Sequence, residues 1–207
     1  MKYYFNISCF FIFIICLTYK YDCNNMNCKG VGTMIEIRKA RAEDSRGIIE
    51  VNVKTWCTTY EGIMPSEVLQ HKVDTMEEKI KKCERTVEAD DNVYVALKDG
   101  NVVGIMSYGP CKDENYKEHG EIYSLYVLKE YQGQKIGKSL FLKGVEELKN
   151  KSYENMIINC LTENPSNQFY IKMGGNIIGQ VENIIGGKKL SENVILYSDL
   201  KSIDTQI

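Results

Sequence analysis

The fold is decided by residues 121–141, whose sequence is EIYSLYVLKEYQGQKIGKSLF. Apolar residues alternate from Ile122 to Leu128, which predicts a strand, and a helical pattern begins directly after a polar turn at 132–138. The first N–H groups of a helix lack internal partners, and the helix dipole is positive there. A glycine-bearing turn at this point therefore predicts an anion-binding site, although neither the dinucleotide pattern nor the Walker pattern is present.

Composition excludes several classes of protein. The chain has 207 residues, which allows one domain with a sizeable core plus an additional segment. The net charge is −2 and no block of basic residues stands out, so nucleic acid is a poor candidate partner. The eight cysteines form no C-x-x-C pair and no paired Cys/His spacing. We therefore predict no metal site, and we interpret the cysteines of the domain as reduced thiols.

From Met34 the pattern alternates between strands and helices. It predicts, in order, a strand at 35–38, a helix capped by Asp44, one charged helix from Ser66 to about Arg85, and a hairpin of 92–98 and 102–108 around Asp99-Gly100. After the strand and helix of the deciding stretch it predicts a strand at 156–161, a short helix at 164–173 ended by Gly174-Gly175, and strands at 177–181 and 193–197.

The polar turn resembles motif A of the GNAT acetyltransferase superfamily, [Q/R]-x-x-G-x-[G/A], which grips the pyrophosphate of acetyl-CoA. Gln132 and Gly137 match the first and last positions, whereas Lys135 stands where the family prefers glycine. Residues 164–174, NPSNQFYIKMG, look like the family segment N-x-x-x-x-F-Y-x-K-x-G, and Gly175 stands where the family usually has an aromatic residue. The resemblance covers residues 34–200.

The resemblance implies an α/β fold. The expected sheet is mixed and GNAT-like, with six to seven strands, flanking helices, an antiparallel front half and a parallel crossover at the helix that binds CoA. It also implies an N-acetyltransferase that moves an acetyl group directly from acetyl-CoA, the co-substrate, to a primary amine of a small molecule or peptide. The alternative is a non-catalytic acyl-CoA-binding sensor or interaction domain, which the departures at Lys135 and Gly175 favour.

The resemblance assigns two residues to proton transfer. Tyr170 occupies the position of the general acid that protonates the departing thiolate; the alternative is that it packs in the core. Glu121 opens the motif strand, where the family often places a carboxylate that removes the amine proton through water. An exposed strand-end glutamate is the alternative for Glu121, and His119 is a rival base.

The cofactor-binding residues are also implied by the resemblance. The backbone of Leu125, Tyr126 and Val127 is expected to pair with the pantetheine arm where the motif strand bulges and diverges from its neighbour. The turn residues expected at the phosphates are Gln132, Gly133, Gln134, Lys135, Ile136, Gly137 and Lys138. Asn159 and Asn164 are weaker candidates for contacts to the cofactor arm, since either could instead be a strand-end or cap residue.

The acceptor side is less defined. Trp56, Tyr60, Gly62 and Pro65 form W-x-x-x-Y-x-G-x-x-P, which is similar to a stretch on the acceptor side of small-molecule members of the family. Aromatic rings there can stack on a cationic amine. Packing of one helix face in the core is the preferred interpretation for Trp56, and for Tyr60 both interpretations stay open.

The N-terminal segment leaves three alternatives open. Residues 5–17 are mostly apolar but short for a membrane span, and no small-residue cleavage site follows them. Residues 1–33 are therefore a spurious or disordered extension, a membrane anchor or a cleaved signal, followed by the acetyltransferase domain at 34–200 and a tail at 201–207. The expected location is cytoplasmic, with membrane tethering as the alternative. The oligomeric state stays open, and a homodimer is one alternative.

Overall fold

The computed structural model describes residues 34–89 and 92–205. They form seven strands: β1 Glu36–Lys39, β2 Val93–Lys98, β3 Asn101–Pro110, β4 Gly120–Val127, β5 Met156–Leu161, β6 Asn176–Ile185 and β7 Lys188–Tyr197. They also form five helices: α1 Ser45–Thr59, α2 Ser66–Asp74, α3 Met76–Thr86, α4 Ile136–Asn150 and α5 Asn167–Lys172. Residues 1–33, including the apolar stretch at 5–17, lie outside the described part of the chain.

The strands form one mixed sheet in the order β1-β2-β3-β4-β5-β7-β6. The pairs from β1 to β4 are antiparallel, and β4 pairs with β5 in parallel. A parallel pair needs a crossover, and α4 supplies it between β4 and β5. The predicted fold class, with an antiparallel front half and a parallel crossover, is confirmed.

The two parallel strands separate soon after they meet. Between β4 and β5 only Gly120 pairs with Met156 and Glu121 with Ile157. On its other side β4 stays paired with β3 along its whole length, with Tyr123 as one extra residue. Such a bulge bends a strand and increases its twist. Beyond Glu121, the edge of β4 that faces β5 therefore borders an open gap.

Helices cover the two faces of the sheet. Helix α4 buries Leu140, Phe141 and Leu148 completely, in one cluster with Ile122 and Met156. This apolar stripe recurs at helical spacing, as a core-facing helix requires. On the opposite face, residues of α1 form a second cluster with residues of β2 and β3. The position of α4 matters for function because the helix begins beside the gap.

Two predicted helices differ from the observed ones. The single charged helix predicted at 66–85 is two helices, broken at Thr75, whose hydroxyl group donates to the carbonyl of His71 at 2.6 Å. A threonine that bonds to the preceding turn weakens a helix, and charge periodicity gives no sign of it. The short helix begins at Asn167 rather than at 164.

The last two strands are longer than predicted. β6 and β7 have ten residues each and join at Gly186-Gly187, both with positive φ. β6 is an edge strand that is exposed at almost every position, so its sequence lacks the alternation that a half-buried strand shows. The hairpin places β7 between β5 and β6.

Asp44 precedes α1 but its side chain does not cap that helix. The carboxylate instead accepts hydrogen bonds of 2.6 and 2.9 Å from the guanidinium group of Arg38, and one of 2.8 Å from the backbone N–H of Arg41. Burial alone raises the pKa of Asp44, but these hydrogen bonds outweigh it, so the pKa lies below its usual value. Asp44 therefore lies at the predicted N-cap position, but its side chain bonds to Arg38 and Arg41 instead of to the N–H groups of α1.

No helix in residues 34–89 and 92–205 is both long and apolar enough to cross a membrane.

Candidate active site

The turn between β4 and α4 has the backbone arrangement that an anion cradle requires. The N–H of Ser139 bonds to the carbonyl of Lys135 as the first bond of α4. The N–H groups of Ile136, Gly137 and Lys138 therefore precede any partner within the helix. They lie at the positive end of a 15-residue helix, which is where phosphate groups bind.

Lys135 keeps the backbone conformation that glycine would adopt. Its φ and ψ are 64° and 2°, in the left-handed region. A side chain there costs roughly 1–2 kcal/mol, which explains why a glycine is favoured at this position. The departure at Lys135 therefore leaves the course of the turn intact and adds an exposed ammonium group to it.

Two glutamine side chains of the turn have structural partners. Nε2 of Gln132 donates to the carbonyl of Val127 at 3.0 Å, which joins the turn to the end of β4. Oε1 of Gln134 accepts a hydrogen bond of 2.9 Å from Lys98, on β2.

A cleft of about 400 Å³ lies over this cradle. It is lined by Leu125, Val127, Gln132, Gly133, Lys135, Gly137, Lys138, Ser166, Phe169 and Tyr170. A Cβ added at Gly137 would meet only Cγ2 of Val127 at 3.8 Å, and one at Gly133 would meet nothing within 4 Å. No protein atom therefore excludes a side chain at Gly137. A glycine at this position fits a ligand that approaches the backbone closely. These residues fit the phosphates of a CoA-type co-substrate.

The backbone of β4 offers hydrogen bonds to the gap. The N–H of Leu128 donates to the carbonyl of Val103 on β3. Antiparallel strands alternate, so the backbone of Tyr126 also faces β3, whereas Leu125 and Val127 face the gap. Of the three predicted backbone positions, two therefore face the cleft, and Tyr126 contributes its side chain to a neighbouring cavity instead.

A second cavity, of about 90 Å³, is lined by residues of α1, β4 and β5 and is named the acceptor-side cavity. Its walls include Thr55 of α1 and Tyr60 directly after that helix, Tyr126 of β4, and Asn159 and Cys160 of β5. The cleft and the acceptor-side cavity share Leu125, Val127, Gln132, Ser166 and Tyr170. The divergence of β4 from β5 therefore joins the two spaces.

Tyr170 lies at this junction. It is 7% exposed, and burial raises its pKa well above the ordinary value, so the phenol stays protonated. No hydrogen bond joins its hydroxyl group to another residue within 34–89 and 92–205. Phe169 packs edge-on against the Tyr170 ring and against Phe141 of α4, which fixes the ring position. Tyr170 thus has a free hydroxyl group between the cleft and the cavity.

Glu121 is buried at the point where β4 and β5 separate. One carboxylate oxygen accepts a hydrogen bond from the backbone N–H of Lys112 at 3.1 Å, and the other lies 3.5 Å from Nδ2 of Asn159. Asn159 lines the acceptor-side cavity and Glu121 does not, so the carboxylate reaches the cavity through Asn159. The rival base His119 packs edge-on against Tyr116 and lines neither space.

The loop from β5 to α5 is built around asparagines. Nδ2 of Asn164 donates to the hydroxyl group of Tyr60 at 3.2 Å, which positions both in the cavity wall. Asn167, which was not predicted from the sequence, donates through its amide to the carbonyl groups of Leu161 and Asn164 and accepts from Asn193. Its only sequence signal is a polar residue at a helix start.

Trp56 contacts the site indirectly. Its Nε1 donates to the hydroxyl group of Tyr126 at 3.0 Å, and its ring meets Tyr60 edge-on at 4.9 Å. The ammonium group of Lys72 lies 3.5 Å from the centre of the ring, so a cation of the chain itself covers one ring face. Burial lowers the pKa of Lys72 to about 8.

Glu192 is a further acidic residue beside the site that was not predicted from the sequence. It lies on β7 opposite Leu161 of β5, between the buried residues Leu190 and Val194 on the same sheet face. A glutamate inside an apolar alternation was the available signal. Burial, and less strongly the charge of Glu121, raise its pKa above the ordinary value, and the amide of Asn183 opposes this.

The described residues hold no group of three or more His, Cys, Asp or Glu side chains that could bind a metal ion.

Comparisons with known proteins agree with this architecture. An N-acetyltransferase named YuaI from Bacillus subtilis is 32% identical over 173 residues, which cover 83% of this chain and 98% of that protein. A spermidine N(1)-acetyltransferase from Thermoplasma acidophilum is 30% identical over 121 residues, 56% of this chain and 72% of that protein.

Solved structures show the same fold. The N-acetyltransferase PaiA from Thermoplasma acidophilum, in complex with coenzyme A, superimposes with a TM-score of 0.60 at 24% identity, over 77% of this chain and 98% of that one. The acetyltransferase YncA from Salmonella typhimurium, with acetyl-CoA, gives 0.62 at 20% identity over 81% and 95%. The family model described as acetyltransferase (GNAT) family matches residues 55–175. The chain thus belongs to the GNAT family of acetyltransferases.

Proposed function

We propose that the protein transfers an acetyl group directly from acetyl-CoA to a primary amine of a small molecule or peptide. The observation that carries this proposal is the continuity between the cleft over the start of α4 and the acceptor-side cavity, with Tyr170 at their junction. An enzyme that joins two substrates without a covalent intermediate needs them to meet at one point. The relative named for spermidine, an aliphatic amine, supports an amine acceptor.

The co-substrate is held by backbone rather than by charged pockets. The N–H groups at the start of α4 bind the phosphates, and Gly133 and Gly137 let them approach. The gap-facing backbone of Leu125 and Val127 pairs with the pantetheine arm as an added strand would. Acetyl-CoA supplies the thioester whose C–S bond is broken.

The chemical step forms a bond between the amine nitrogen and the acetyl carbon as the C–S bond breaks. The amine arrives as an ammonium ion and must first lose one proton, which Glu121 accepts through water, while Asn159 orients the carboxylate by a hydrogen bond. The departing sulfur carries the electron pair of the broken bond and takes a proton from the hydroxyl group of Tyr170. The buried phenol is protonated at every physiological pH, as a proton donor must be.

The test is Tyr170→Phe, which removes the hydroxyl group and little packing. We expect kcat, measured as thiol release with a panel of primary amines, to fall by about 100-fold or more, with acetyl-CoA affinity nearly unchanged. The matched control is Tyr153→Phe, which removes a phenol that lines neither the cleft nor the cavity.

Two outcomes of this experiment contradict the proposal. Wild-type turnover in Tyr170→Phe removes the acid role from Tyr170. If the wild-type protein binds acetyl-CoA tightly but releases no thiol with any amine, the result favours the alternative, a non-catalytic acyl-CoA sensor.

A further inference from the structure

Two carboxylates, those of Glu121 and Glu192, lie next to residues that line the acceptor-side cavity, and neither is balanced by a salt bridge among the described residues. Within residues 34–89 and 92–205, neither Glu121 nor Glu192 forms a salt bridge, and the ammonium groups of Lys112, Lys188 and Lys189 have other partners. Lys189 pairs with Glu182 at 2.7 Å, and the ammonium group of Lys112 lies over the ring of Tyr123. Half-buried and buried carboxylates without a counter-ion are costly, so this arrangement indicates that a ligand supplies the positive charge.

Glu192 adjoins the acceptor-side cavity. Its charge acts on Tyr60, Tyr126 and Cys160, and all three of these residues line the cavity. Glu192 and Asn159 lie on neighbouring strands and on the same sheet face, because Leu161 pairs with Glu192 and Asn159 with Val194. Glu121 approaches Asn159 from the other side. The two carboxylates thus lie on either side of the polar wall formed by Asn159.

A buried hydroxyl group supplies an independent sign of a ligand. Thr55 lines the acceptor-side cavity and is 6% exposed. Its Oγ1 has no hydrogen-bond partner among the described residues, although a threonine within a helix commonly bonds to the preceding turn. A buried polar atom without a partner costs about 1–3 kcal/mol unless a bound group satisfies it.

We propose that Glu192 forms a subsite for a second ammonium group of the acceptor, so that the acceptor is an aliphatic diamine or polyamine. This inference rests on the proposed function, because it places the reacting amine at Tyr170. One positive charge then lies on the side of Glu121 and the other at Glu192. Thr55 Oγ1 accepts a hydrogen bond from the bound amine. The aromatic walls contributed by Tyr60 and Tyr126 surround the carbon chain.

The test compares 1,4-diaminobutane with butylamine, which has the same carbon chain and only one ammonium group. Binding of each to the CoA-saturated full-length protein is measured by calorimetry. We expect the diamine to bind at least about tenfold more tightly than butylamine, as one charged hydrogen bond allows. In Glu192→Gln, which keeps the side-chain shape, we expect this preference to fall to about threefold or less. CoA affinity serves as the measure of correct folding.

Glu182→Gln is the matched control. Glu182 lies on the neighbouring strand β6 and is exposed. Its substitution should leave the preference for the diamine unchanged. Equal binding of the two amines to the wild-type protein overturns the subsite, and so does a full preference retained in Glu192→Gln.

Acetylation of the same two amines separates this inference from the proposed function. Turnover of both amines with no preference in binding leaves the acetyltransferase in place and removes the subsite. A preference that depends on Glu192, together with no acetylation of any amine, supports the subsite and contradicts the proposed function.

Discussion

The hydroxyl group of Tyr197 donates a hydrogen bond of 2.8 Å to the backbone carbonyl of Tyr170. This bond is buried and ties the last strand, β7, to the helix that carries the proposed acid. The same tyrosine explains the glycine that follows α5. A Cβ at Gly175 would lie 2.5 Å from Cγ2 of Ile195 and 2.8 Å from the Tyr197 ring, so the space for a side chain is already filled.

Tyr197→Phe should lower the free energy of unfolding by about 1 kcal/mol, the usual cost of one hydrogen bond. The carbonyl of Tyr170 keeps the N–H groups of Met173 and Gly175 as donors, so the loss stays moderate. We also expect kcat to fall, because α5 loses one of the contacts that position the phenol. Tyr94→Phe is the control: it removes a hydrogen bond to Glu147 in the C-terminal part of α4, whereas the cleft lies at the start of α4, and it should leave kcat unchanged.

Gly137→Glu places a carboxylate where the phosphates approach the start of α4. We expect CoA affinity to fall at least tenfold, or ~1.4 kcal/mol, with the fold retained because a Cβ at Gly137 meets no close protein atom. Gly137→Ala, measured in the same equilibrium titration, separates the effect of volume from that of charge. Unchanged affinity in Gly137→Glu means that the phosphates bind elsewhere.

Lys135→Gly should stabilise the protein by about 1 kcal/mol, because glycine adopts the left-handed conformation at this position without strain. Chemical denaturation measures the change. Lys138→Gly, inside the first turn of α4, should have the opposite sign, since glycine weakens a helix interior by about 1 kcal/mol. A loss of stability in Lys135→Gly contradicts the assigned backbone strain.

Glu121→Gln tests the proposed base. We expect kcat/KM to fall most at pH values where the acceptor amine is protonated, and the deficit to shrink as pH rises. A base matters only while a proton has to be removed. Profiles of kcat/KM against pH for the variant and the wild type give the comparison. A deficit that is equal at every pH assigns Glu121 a structural role through its bond to the N–H of Lys112.

Asp44→Asn should lower the free energy of unfolding by about 2 kcal/mol at neutral pH, as expected for hydrogen bonds to a charged group. The folded state depresses the pKa of Asp44, so the stabilisation is present above the unfolded pKa of about 4 and is lost as pH falls through the folded pKa. The difference between variant and wild type should therefore vanish in strong acid. Denaturation curves at several pH values measure it, and a difference independent of pH excludes the ion pair with Arg38 as its cause.

Local sequence patterns predicted much of this protein. The alternation in β4, the turn at 132–138 and the start of α4 are set by neighbours in the chain, because strand period, turn conformation and helix dipole act over a few residues. The sequence also placed Gln132 and Gly137 between one strand and the following helix, and Tyr170 on a later helix, as the structure shows. These features define the fold class and the proposed cofactor site.

Only the tertiary structure brought distant residues together. The gap between β4 and β5 arises from sheet twist and a bulge at Tyr123, which no local pattern encodes. The contact between Tyr197 and Tyr170, and the position of Glu192 beside the acceptor-side cavity, depend on β7 entering the sheet next to β5. Local residue patterns decide which segments are strands, whereas packing of the whole sheet decides the order of the strands. The acceptor side of this protein depends on that strand order.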